Sequence, residues 1–146
     1  MDRHFFGTDA EARVIAELEQ ELAARIQSAN RQWDSGAIDP QAEPVTDDFI
    51  GIQYAPWYPE ERFTADAEGW REGNQHAAQE GLGKGWHWTV RDAHFLPRSE
   101  DEAIVVYTVV HHWADPGEPP GEAAFLETWV RQGGRWALKR HTAEKR

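Results

Sequence analysis

The sequence predicts an α+β fold in which N-terminal helices pack into a strongly curved antiparallel sheet. Two observations predict it: a long, capped apolar stripe opens the chain, and its last third breaks into four runs of period two separated by turns. A third concerns content. Five of the eight tryptophans, Trp86, Trp88, Trp113, Trp129 and Trp136, fall in that last third. Indoles are bulky and their N–H groups want partners, so a sheet carrying several is expected to curl around a hollow.

In the first element, Thr8 followed by Glu11 fits a capping box. Ile15, Leu18, Leu22, Ile26, Ala29 and Trp33 then recur at spacings of three and four, which draws one stripe along a helix. Glu21 and Arg25 are placed as a pair across one turn of its outer face, and Gly36 ends it. Residues 47–54 read as a short strand. Residues 55–59 read as an irregular loop over a pocket mouth, with Tyr54 and Trp57 as ligand contacts. A second helix is expected from about Thr64, carrying Ala67, Trp70, Ala77 and Ala78 inward, and broken by its glycines. The four runs that follow are 86–96, 103–113, 123–131 and 135–142, with a Pro/Gly-rich turn at 115–121 and Gly133-Gly134 closing the last hairpin.

A chain of 146 residues with 40% hydrophobic content is read as one domain, 1–146. No stretch has the apolar length of a membrane span, and the first residues lack the apolar core of a secretory signal, so a cytoplasmic location and no membrane partner are expected. With no cysteine there are no disulfides, thiolate nucleophiles or Cys-type zinc sites. A formal charge of −11 disfavours nucleic acid as a partner. No metal-binding spacing occurs, and Gly81-Leu82-Gly83-Lys84-Gly85 follows a helix and leads into a strand, the reverse of a phosphate loop. No cofactor is expected.

Three segments carry a resemblance: Ala29-Asn30-Arg31-Gln32-Trp33-Asp34-Ser35-Gly36, Asp47-Asp48-Phe49-Ile50, and the closing hairpin from Thr128 to His141 with Gly133-Gly134 at its turn. Together they resemble the nuclear transport factor 2-like (NTF2-like) superfamily, in particular its SnoaL-like and ketosteroid isomerase-like branch. The resemblance implies a cone whose sheet wraps the helices and whose open end holds a small molecule in the enzymes. Two departures stand out. Ala37-Ile38-Asp39 replaces the Asp that commonly follows the helix-ending glycine, and the segment after the first strand is rich in proline and aromatics.

Strand alternation selects the candidate chemistry. In the first run, Trp86, Trp88, Val90, Asp92, His94 and Leu96 share a face taken to line the cone, making Asp92 and His94 a candidate proton-transfer pair. In the second, Tyr107 and His111 share a face with Val105 and Val109; if that face is concave, they can stabilise developing charge, as the resemblance implies for a tyrosine. Glu127 is one further carboxylate for acid–base work should it face inward, and His141 occupies a position where the resembled family often carries histidine. Trp88, Trp113 and Trp129 are expected to shape the cavity. Both faces of the second run are apolar, which fits one face in the cone and the other in a homodimer. The function expected is a cofactor-free acid–base enzyme of cyclase, isomerase or dehydratase type acting on an apolar or aromatic metabolite. A noncatalytic ligand-binding or dimerisation module is the alternative.

Overall fold

In the computed structural model, which describes residues 5–55 and 58–146, helix α1 (Asp9–Ser35) leads into β1 (Val45–Ala55) and β2 (Tyr58–Asp66). Helix α2 (Ala67–Glu80) follows, then β3 (His87–Pro97), β4 (Glu102–His112), β5 (Gly121–Gln132) and β6 (Arg135–Lys145). The strands form one sheet in the order β2-β1-β6-β5-β4-β3, antiparallel except where β1 runs parallel to β6. The parallel pair explains how the N-terminal hairpin joins the C-terminal meander: the last strand of the chain becomes the centre of the sheet. Among the described residues, no helix is long and apolar enough to cross a membrane.

The caps behave as the sequence predicts. The Thr8 side chain accepts from the Glu11 N–H, and Gly36 closes α1 in the left-handed conformation at φ 72°. Gly133 and Gly134, both at positive φ, turn the final hairpin. Three expectations need correction. Residues 58–66 form a strand paired with β1, not a loop running into a helix at Thr64. Helix α2 starts later, capped by Asp66 accepting from the Gly69 N–H, and runs unbroken through Gly69 and Gly73. Arg25 is not on an outer face. It is 4% exposed, because it sits three residues after Leu22 on the same stripe as Leu18 and Leu22.

The core lies between the helices and the concave face of the sheet, where Leu18, Leu22, Phe49, Trp70, Val105, Val109, Phe125, Trp129 and Leu138 pack together. Two bulges decide which side chains reach it. In β3, Arg91 pairs with Thr108 but His94 pairs with Val106, so β3 carries one extra residue there, and Asp92 sits at φ 55°. In β6, Leu138 pairs with Trp129 and Arg140 with Thr128, which leaves Lys139 as the extra residue. Each bulge reverses the inside–outside alternation beyond it.

Candidate active site

The β3 bulge overturns the face assigned to its carboxylate and histidine. Trp88 and Val90 point toward the core, the bulge intervenes, and Ala93 and Phe95 resume the inward role. Asp92, His94 and Leu96 therefore face outward and are exposed. Asp92 lies 3.7 Å from the Arg91 guanidinium in a solvated ion pair. Asp92 and His94, together with Val106, Leu126, Thr142 and Glu144, line an open depression of about 680 Å³ on the convex side of the sheet.

On β4 the uncertain parity resolves toward the cone: Val105, Tyr107, Val109 and His111 are all buried on the concave side. Tyr107 donates its hydroxyl to Glu127 Oε1 at 2.8 Å. Glu127 follows Ala123 and Phe125 on the inward alternation of β5 and is 2% exposed. The same Oε1 accepts from Trp129 Nε1 at 3.0 Å. Oε2 lies 2.6 Å from Nδ1 of His141, which is 1% exposed and placed inward by the β6 bulge. The His141 ring lies between Trp70 and Phe125, with both centroids 4.7 Å away.

Electrostatics assign the protons. Burial alone pushes the Glu127 carboxyl up, but the hydrogen bond and charge of His141, with Arg25 and the Tyr107 hydroxyl, outweigh it and hold the carboxyl below its usual range. The carboxylate is ionised and accepts, so Nδ1 of His141 carries the hydrogen. Tyr107 is raised well above the ordinary phenol value by burial and by the neighbouring Glu127 charge, which keeps it a donor. Glu43, in the segment between α1 and β1, is raised by burial, partly offset by Arg25.

The space beside this network is narrow. A cavity of about 40 Å³ is lined by Arg25, Gln53, Trp88, Tyr107, Phe125 and Glu127, among others. A second of about 30 Å³ lies nearer the surface, and Ala29, Gln32, Glu43, Trp70 and Asn74 line both. Each exceeds what one water needs, and their shared lining comes from both helices and from Glu43.

The indole-rich hollow foreseen from the sequence is largely filled by its own rings. Trp33, Trp86, Trp88 and Trp113 crowd around His111, with centroid separations of 4.5 to 6.0 Å within the cluster. Trp88 Nε1 donates to His111 Nδ1 at 2.8 Å, and burial pulls the His111 pKa down to about 4, so this ring is neutral at pH 7. Trp113 donates to the Pro119 carbonyl outside the cavity. Of the other expected ligand contacts, Trp88 lines the cavity, Trp129 binds Glu127 behind it, and Tyr54 is buried in the core cluster without lining it. Trp57 lies outside the described residues.

Arg25 and Glu43 are members of the site that sequence reasoning missed. Arg25 was legible in principle from its place on the helical stripe; Glu43 sits in an irregular segment with no periodicity to read.

No protein-family model matches the sequence, and no curated protein matches it. Solved structures do. An NTF2-like protein of unknown function from Pseudomonas putida KT2440 is 13% identical, with a TM-score of 0.69 over 88% of this chain and 84% of its own. A protein from Novosphingobium aromaticivorans DSM 12444 assigned as a scytalone dehydratase is 18% identical, with a TM-score of 0.64 over 94% and 87%. The hexachlorocyclohexane dehydrochlorinase LinA-type3 from Novosphingobium barchaimii LL02 is 10% identical, with a TM-score of 0.62 over 93% and 88%. The chain has the NTF2-like fold, an α+β cone.

Proposed function

We propose that this protein is a cofactor-free acid–base enzyme that binds a small, largely apolar molecule in the cone and moves a proton through the Glu127–His141 pair. The observation that carries the reading is the buried chain Tyr107–Glu127–His141, whose Tyr107 and Glu127 line the cavity and in which both Glu127 oxygens are hydrogen-bonded. A carboxylate that orients an imidazole makes a proton acceptor of the pair as a unit, and Trp70 and Phe125 flank the imidazole. Removal of a proton next to a carbonyl is the shared first step of isomerisation, cyclisation and dehydration. Two neighbours of like fold carry names of elimination enzymes, a dehydratase and a dehydrochlorinase, which favours this class over a noncatalytic module.

The test is exchange of α-hydrogens for deuterium in cyclopentanone, cyclohexanone and acetophenone, followed by proton NMR in D₂O. Wild type exchanges at least one of them faster than buffer, and Glu127→Gln and His141→Asn each lose roughly 10²- to 10⁴-fold. Exchange in wild type no faster than in buffer, or undiminished exchange in Glu127→Gln, overturns the reading.

The protein acts as a homodimer joined through the convex face of the sheet. There the register aligns His94, Val106, Leu126, Thr142 and Ile52 in one row across five strands, and Leu96, Leu126, Ile50 and Ile52 are exposed large apolar side chains.

A further inference from the structure

Arg25 is a cation enclosed in the cone. Its side chain is 4% exposed, and its Nη2 donates to the Trp136 carbonyl at 2.6 Å. The guanidinium carbon sits 4.4 Å from the centroid of the Trp129 ring, which holds its plane. Glu21 Oε1 lies 3.8 Å from Nη2, too far for a hydrogen bond. Nε and Nη1 are buried and have no hydrogen-bond partner among the described residues. A guanidinium cannot shed its charge, and buried unpaired donors are costly. Two such donors on a residue that lines the cavity beside Glu127 are placed to take an acceptor oxygen from a ligand.

The charges around the cavity indicate what kind of oxygen. Glu21, Glu43 and Glu127 already surround this one guanidinium. An anionic ligand would add another negative group to a cavity lined, among the described residues, by one permanent cation. A neutral carbonyl adds none on entry and gains negative charge only as reaction proceeds, when fixed donors favour it most.

We propose that Arg25 is a catalytic residue whose Nε–H and Nη1–H bind the oxygen of a small neutral carbonyl compound and stabilise the enolate formed from it. This rests on the acid–base reading above. The α-hydrogen leaves as a proton to the Glu127–His141 pair, the C–H electron pair becomes the new carbon–carbon π bond, and the carbonyl π electrons move onto the oxygen held by Arg25. Return of the proton to carbon completes exchange or isomerisation. Where the β-carbon bears a hydroxyl, its departure with a proton as water completes dehydration. No oxidant, metal or co-reactant is required.

The experiment uses carbonyl-¹³C-labelled cyclopentanone and the intact protein, and reads two independent signals: the carbonyl ¹³C shift of bound ketone, and α-deuterium exchange. In wild type, the bound carbonyl resonance moves downfield, and methylenecyclopentane, of the same shape without the oxygen, binds about tenfold or more weakly. Arg25→Met, which keeps the volume of the stem, abolishes the downfield shift and slows exchange roughly 10²- to 10³-fold; Arg25→Lys, which keeps charge but not the fork, recovers only part of both. The methylenecyclopentane comparison needs no variant and so stands even if Arg25→Met fails to fold.

Glu127→Gln separates the two readings, because it loses exchange while retaining the carbonyl shift. A downfield shift with no exchange in wild type sinks the acid–base reading and leaves Arg25 as a carbonyl-binding residue. Equal exchange in wild type and folded Arg25→Met, absence of the shift in wild type, or equal binding of the ketone and methylenecyclopentane overturns the assignment of Arg25.

Discussion

Glu127 and His141 face each other directly across β5 and β6, with Oε2 and Nδ1 2.6 Å apart. The pairing depends on the bulge at Lys139, since uninterrupted alternation from the buried Leu138 would turn residue 141 to the solvent side.

Replacing Glu127 by Gln leaves one oxygen where two accepted, and is expected to destabilise the fold by about 1–3 kcal/mol at pH 7. The folded carboxyl lies below its ordinary value of 4.5, so its contribution is present above that value and is lost as pH falls through the lower folded pKa. Urea midpoints measured from pH 7 downward therefore converge between wild type and variant below about pH 4.5. A constant gap between the two curves would refute the assigned direction.

His111 has the opposite charge type but loses stability on the same side. Its pKa falls from 6.5 in the unfolded chain to about 4 in the fold, so as pH drops across that window the unfolded chain takes up a proton that the folded one refuses. The resulting loss is at most about 3 kcal/mol and is reduced by solvent screening. His111→Gln, which can still accept from Trp88, is expected to flatten the midpoint curve between pH 6.5 and 4. A variant curve as steep as wild type there would contradict this.

Asp92 occupies the left-handed region at φ 55°, where a β-branched side chain is strained. Asp92→Ile is expected to cost about 1–2 kcal/mol and Asp92→Gly little or nothing. Thermal melts of the two variants check the order, and equal melting temperatures would show that the bulge tolerates any side chain.

Leu126 is 49% exposed at the centre of the convex row. In the proposed dimer, Leu126→Arg would set like charges against each other, and light scattering is expected to report a monomer for the variant and a dimer for wild type. The melt of the monomeric variant shows whether the fold survives the separation. A wild-type mass of one chain at micromolar concentration would end the dimer reading.

Much of the architecture is readable from local pattern. The α1 stripe, the Thr8 cap, Gly36 and the Gly133-Gly134 turn announce themselves, because capping, helical period and positive φ are properties of neighbouring residues. Strand β2 does not, since Tyr58-Pro59-Glu60-Glu61-Arg62 lacks alternation and pairs only through its partner β1. The site divides in the same way. Tyr107 and Glu127 lie on unbroken alternations, so each could be placed once one face was known. Asp92 and His94 do not, because unbroken alternation would place both inward and the bulge between Arg91 and His94 turns them outward.

By itself, then, the order of residues determined the α+β class, the helix ends, the hairpins and the supply of titratable groups, all set over spans of a few residues. Only tertiary structure decided which groups meet. A single inserted residue in β3 turned Asp92 and His94 outward, another in β6 turned His141 inward, and the packing of α1 enclosed Arg25. A bulge arises where two strands must share one register under twist, and that requirement belongs to the pair rather than to either strand.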